Sequence, residues 1–190
     1  MNRCLLIIVC FLFSITSFAQ VTNRGNKFTE VYEVDGKVVF IKEIQSKANL
    51  STESVYAILK NWAKDNYGKD PFISSVRYDG ENHEIIAKSR IELLLPANSK
   101  GEREKIVMRY RVNSFIFQEK CILEITELVY LYDNPKKAKI LPRVSRAEDL
   151  ITDSAIAIND NVSELRANTR KSTLYFLNEL ADGLEKRLKE

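Results

Sequence analysis

Arg77, Lys88, Arg90, Arg109 and Arg111 stand in runs where every second residue is apolar, and all five fall between the apolar positions. Lys88 and Arg90 are two residues apart, as are Arg109 and Arg111. Side chains two apart share one face of a β-strand, so each pair is expected to point the same way. A face carrying several guanidinium and ammonium groups offers charge-assisted hydrogen bonds to carboxylate or phosphate oxygens. These five residues are therefore the candidate partner surface. Glu92, Glu124 and Thr126 fall on the same expected face, and the plain alternative is a solvated sheet laced with weak ion pairs.

Other chemistry finds no constellation. Cys121 lies on the apolar parity of its run and reads as a small buried hydrophobe. A nucleophilic thiol needs a base, and the single histidine, His83, sits in the polar turn Asp79-Gly80-Glu81-Asn82-His83. One histidine and so few cysteines assemble no histidine or cysteine metal cluster. The six glycines are scattered, mostly in turns, and form no phosphate-cradling loop. Glu148-Asp149, and Asp79 with Glu81, occupy loop or cap contexts with no apolar setting to raise a pKa. Asn49-Leu50-Ser51 and Asn161-Val162-Ser163 match the glycosylation sequon, but both serines suit helix roles. No catalytic, cofactor-binding or metal residue is assigned, and the chain is expected not to be an enzyme.

The elements that must position the cations lie between Phe72 and Tyr132. Four consecutive strands are expected there. Phe72, Val76 and Tyr78 alternate with Ile73, Ser75 and Arg77. Ile85, Ala87, Ile91, Leu93 and Leu95 alternate with Lys88, Arg90 and Glu92. Ile106, Met108, Tyr110 and Val112 alternate with Arg109, Arg111 and Asn113. Cys121, Leu123, Ile125, Val129 and Leu131 are expected to share the last dry face. One dry and one wet face per strand is the signature of an antiparallel sheet covered on one side. Asp79-Gly80, Asn98 to Glu102 and Gln118-Glu119-Lys120 supply the turns, and Asn113-Ser114 suggests a β-bulge or a strand end. Residues 133–148, with two prolines and five basic residues, read as an exposed crossover.

The flanks supply cover for the dry face. Phe28, Tyr32 and Val34 alternate up to Asp35-Gly36, a two-residue hairpin signal, and Val38 to Ile44 is the return strand. Ser51 caps a helix whose stripe is Val55, Ile58, Leu59, Trp62 and Ala63, with Gly68 as its stop. Trp62 reads as the anchor that grips the sheet. From Leu150 to Lys189 apolar residues again recur at helical spacing, with Asp153 or Ser154 as the cap. A continuous helix would run about 55–60 Å, longer than a small domain, so a break is expected, best at Asn159-Asp160-Asn161.

Met1 to Ala19 has the build of a secretory signal: Arg3, an apolar run from Cys4 to Phe13, and small Ser17 and Ala19 before a cut at Gln20. Residues 20–27 are polar and read as loose. Removal of Cys4 and Cys10 leaves Cys121 alone, so no internal disulfide is available. Export implies a site outside the cytoplasm, with no membrane span in the mature chain. The net charge of +3 is small, which argues against a nucleic-acid partner.

The order is strand, strand, helix, four strands, helix. It predicts an α+β fold in which a curved antiparallel sheet packs against helices, with a long C-terminal helical segment, in the helix-grip class. The stretch Val38 to Tyr132 resembles a family of uncharacterised secreted domains with a TBP-like fold from Bacteroides-type bacteria. Phe40-Ile41-Lys42-Glu43-Ile44, Ser54-Val55-Tyr56 leading to Trp62, and the alternating strand Lys105 to Val112 carry the resemblance. The resemblance implies a fold and a compartment, the periplasm or exterior of a Gram-negative bacterium, and no site. The chain then divides into a leader (1–19), a TBP-like domain (20–149) and a C-terminal helix (150–190) that packs on the domain or extends from it and offers a route to self-association. The function expected is an exported envelope domain acting through protein contacts. The alternative is a carrier that holds a small apolar ligand between sheet and helix.

Overall fold

The computed structural model describes the backbone of Asn23–Arg24, residues 27–132 and residues 142–190. The expected leader, and Lys136, Lys137 and Lys139 of the expected crossover, lie outside the described residues.

Eight strands and four helices are present among the described residues. Strands β1 (Asn23–Arg24), β2 (Tyr32–Val34) and β3 (Lys37–Gln45) precede helix α1 (Thr52–Tyr67). Then come β4 (Ser74–Asp79), β5 (Glu84–Leu94), β6 (Lys105–Phe117) and β7 (Lys120–Leu131). Strand β8 (Val144–Arg146) and helices α2 (Ala147–Leu150), α3 (Asp153–Ile156) and α4 (Ser163–Lys189) complete the chain. The sheet runs β1-β3-β7-β6-β5-β4, with β2 on β3 and β8 on β7. Every pairing is antiparallel except β1 on β3. The α+β fold, the covered open sheet and the long final helix are as the sequence predicts.

Local chemistry explains the boundaries. Asp35 and Gly36 both have positive φ, 51° and 68°, as a type I′ hairpin requires. Ser51 caps α1 by accepting a 3.2 Å hydrogen bond from the Ser54 amide. The Gly68 amide closes its end on the Lys64 carbonyl at 2.9 Å. Val55, Leu59, Trp62 and Ala63 bury the inner face of α1. Helix α4 is 27 residues long, about 40 Å at 1.5 Å per residue. It buries Leu177, Ala181, Leu184 and Leu188 in one core with Met108, Leu123, Ile125 and Tyr130 of the sheet. Thr169 and Thr173 fill the polar middle of its stripe; the Thr173 hydroxyl meets that of Tyr130 at 2.8 Å, inside the core.

Lys42 is the exception on the dry face. It lies in phase with Val38, Phe40 and Ile44 and is only 2% exposed. Asp182 and Glu185 of α4 reach its ammonium at 3.3 and 3.2 Å. Sheet and helix are thus pinned by a cation under two carboxylates, where an alternation reading places a plain core position.

The structure corrects several local expectations. Strand β4 starts at Ser74, and Phe72 is 87% exposed; the loop after Pro71 holds it out of the sheet. Tyr32 points outward, and Phe28 and Val31 take the buried places ahead of the short β2. Residues 23 and 24 are not loose but pair with Lys42 and Glu43. Strand β6 runs unbroken through Asn113-Ser114 with Val112, Ser114 and Ile116 all buried. The bulge is in β7 instead: Arg109 pairs Val129 and Arg111 pairs Thr126, so Glu127 and Leu128 both face Tyr110. The extra residue flips the parity, so Leu128, Tyr130 and Tyr132 are buried, whereas Val129 and Leu131 are only half-buried. Residues 144–146 are a strand rather than crossover loop. The C-terminal segment divides twice, at Ile151-Thr152 and across 157–162, the second break containing Asn159-Asp160-Asn161. Thr152, not Asp153 or Ser154, caps α3, its hydroxyl accepting from the Ala155 amide.

A cationic block on the open sheet face

The antiparallel register of β5 and β6 sets Lys88 directly opposite Arg111 and Arg90 directly opposite Arg109. Four cations therefore occupy a two-by-two block on the uncovered face. Like charges facing each other across a ladder repel. Arg77 stands apart, on β4 across from Ile86.

The block's counter-ion comes from the β7 bulge. Glu127, with φ of 53°, is carried toward β5 and β6 by the extra residue. Its carboxylate lies 3.0 Å from the Lys88 ammonium and 3.0 Å from Arg111. The hydrogen bond from Lys88, seconded by the one from Arg111, holds the Glu127 carboxyl below its ordinary pKa. The Arg111 Nε donates to Asn113 Oδ1 at 2.8 Å, and the Asn113 amide donates to Glu124 at 2.6 Å. Lys88 and Arg111 are thus compensated. Arg90 and Arg109 form no ion pair with any described residue.

An open groove of about 460 Å³ lies over this block. Lys88, Arg90 and Arg109 line it. Phe72 and Ile73 form one lip, and Glu127 and Val129 the other. The lip beside β5 is fixed, because the Arg90 amide donates to the Ile73 carbonyl at 3.1 Å. An anion bound here meets two guanidinium groups beside an exposed aromatic ring.

Sequence reasoning missed Glu127 and Phe72. Thr126-Glu127, two polar residues in succession inside an alternating run, was the available signal for the bulge. Asp70-Pro71, a turn-opening pair with proline in the second position, was the signal that Phe72 precedes the strand. The remaining candidates lie elsewhere. Cys121 is fully buried, and burial pushes its thiol pKa up. His83 turns the chain at φ 50°, its Nε2 3.9 Å from Glu53. Trp62 is 5% exposed and sets its ring edge-on to Tyr67 at 5.7 Å. Among the described residues, no group of three or more His, Cys, Asp or Glu side chains is placed to hold a metal ion. No described helix is long and apolar enough to cross a membrane.

An open antiparallel sheet with helices on one face and the other left free is the architecture of a TBP-like domain. Residues 40–131 match the model of a family described as a domain of unknown function (DUF4468) with TBP-like fold. A TBP-like protein from Parabacteroides distasonis superposes with a TM-score of 0.69 at 23% identity, over 83% of this chain and 96% of its own. A DUF4468 family protein from Bacteroides ovatus gives 0.69 at 20% identity, over 86% and 93%. At these identities the likeness is one of fold. No curated protein matches the sequence.

Proposed function

We propose that the mature chain is an exported, non-enzymatic domain of the cell envelope, periplasmic or extracellular, that works by docking a protein partner on its open sheet face. The signal-like Met1 to Ala19 supports export. One observation carries the docking reading: Arg90 and Arg109 face each other across β5 and β6 with no counter-ion among the described residues. Cross-strand pairs of opposite charge contribute only about 0.2–1 kcal/mol each, and like pairs subtract. The sheet gains nothing from this arrangement, so its use lies outside the fold.

The test replaces Arg109 and Arg111 together by Gln and captures partners from the envelope fraction of the host. The expected outcome is an unchanged melting temperature with loss of a specific partner. Unchanged melting with every partner retained sinks the proposal.

The carrier reading is supported by a different feature. A groove of about 470 Å³ opens between the end of β5 and α4, lined by Leu93, Leu94, Leu95, Tyr175 and Phe176. Leu94 and Tyr175 are 52% and 68% exposed there. A lipid-like mass retained in native mass spectrometry of protein from its own host would favour this reading over docking.

A further inference from the structure

The uncompensated charge on the sheet face is confined to one row. Along β5 and β6 the Arg90–Arg109 row lies between two others. On one side is Lys88–Arg111, already clamped by Glu127. On the other is Glu92–Val107, where Glu92 is taken by Lys105 at 2.6 Å. Carboxylates thus bound the arginine pair at both ends. The flanking rows are already compensated, so an extended anionic surface would meet unpaired positive charge in one row only. The groove is also concave, with its lips at Phe72-Ile73 and Glu127-Val129. A flat sheet of headgroups does not follow that shape, whereas a side chain entering from above does.

From this we infer that Arg90 and Arg109 form a receiving centre for a single carboxylate side chain of an acidic peptide segment, whose neighbouring apolar residue packs on Phe72 and Ile73. The inference rests on the docking reading and gives that partner its chemistry. Two facing guanidinium forks match the geometry of one carboxylate. Phe72, exposed beside the arginines, supplies apolar area that a bare anion such as phosphate would not use. Glu127 is the internal counter-ion that withdraws Lys88 and Arg111 from the ligand and narrows the site to one row.

Isothermal titration calorimetry on the full mature chain tests this with an octapeptide of alternating Glu and Phe. Its Gln-and-Phe counterpart and phosphatidylglycerol-containing vesicles serve as competing probes. The Glu peptide is expected to bind at least about tenfold more tightly than the Gln peptide, and the Arg90→Gln/Arg109→Gln variant to lose at least about tenfold. Phe72→Ser should weaken binding several-fold. Lys88→Gln should change it by less than about twofold, and Glu127→Gln should tighten it by freeing two cations. Should the double glutamine variant melt early, Arg90→Lys/Arg109→Lys keeps the charge, removes the planar forks, and should still lose most of the affinity. Equal affinity for the Glu and Gln peptides, or binding of vesicles with the same arginine dependence, overturns the carboxylate assignment. If the peptide fails while Arg109→Gln/Arg111→Gln still sheds an envelope partner, this inference falls and the docking reading stands. If both fail, both fall.

Discussion

The ammonium of Lys42 lies 3.2 Å from the carboxylate of Glu185, on the side of β3 that otherwise carries only apolar residues. The two ends of the pair have unequal access to water: Lys42 is sealed, whereas Glu185 and its neighbour Asp182 are partly exposed. The consequences of breaking the pair are therefore unequal too. Asp182→Asn with Glu185→Gln strands a buried cation and should cost about 3–5 kcal/mol. Lys42→Met lets both carboxylates turn to solvent and should be neutral, or stabilising by about 1–4 kcal/mol. Urea unfolding of the two variants measures the contrast; equal losses would show that the pin acts by shape and not by charge.

Trp62 sits in the stripe of α1 and is buried, its ring edge-on to Tyr67. Trp62→Ala should cost about 3–5 kcal/mol through lost burial and the cavity left behind. A loss below about 1 kcal/mol in the same assay would place the indole outside the cooperative core.

Acid should unfold the protein through a small set of carboxylates. Asp160 is held below its ordinary 3.8, chiefly by the hydrogen bond from Arg166, which is itself buried. Glu127 and Glu185 lie below 4.5, chiefly through hydrogen bonds from Lys88 and Lys189 respectively. A folded pKa below the unfolded one gives stability that is present above the unfolded value and lost as pH falls through the folded one. The melting temperature should hold steady from neutral pH to about 5 and decline below about 4. Asp160→Asn should lower the plateau and flatten the decline. An unaltered acid limb in that variant would assign the transition to other groups.

The proposed export makes a separate prediction. Protein recovered from the envelope fraction should begin at Gln20 by intact-mass measurement. An N-terminal Met1 would reject the leader and, with it, the compartment assigned to the partner.

The strands that could be read from the sequence were those with strict alternation. Strand β6 shows the code at its clearest, since Ile106, Met108, Tyr110 and Val112 are all buried. The four cations that form the block were legible for the same reason: period two fixes a face without knowledge of partners. Which cations meet each other was not legible, because register belongs to the pairing of β5 with β6 and not to either run. The misreading of β7 has a local cause. Leu128 to Tyr132 is apolar at every position, so it carries no parity of its own, and only the preceding Thr126-Glu127 marks the slip. Lys42 was hidden differently: its partners come from α4, 140 residues further on in the case of Asp182.

That apolar run gives the bulge a second importance. A strand with oil on both sides can slide by one residue and still bury a leucine or a tyrosine, so its own side chains do little to forbid the shifted register. What forbids it is the polar residue at the turning point, held by Lys88 and Arg111. Glu127 is therefore expected to act as a detent during assembly. Variants that remove its carboxylate are expected to populate a slipped, kinetically trapped β7 when refolded from denaturant, even where the native state, once reached, is nearly as stable as before.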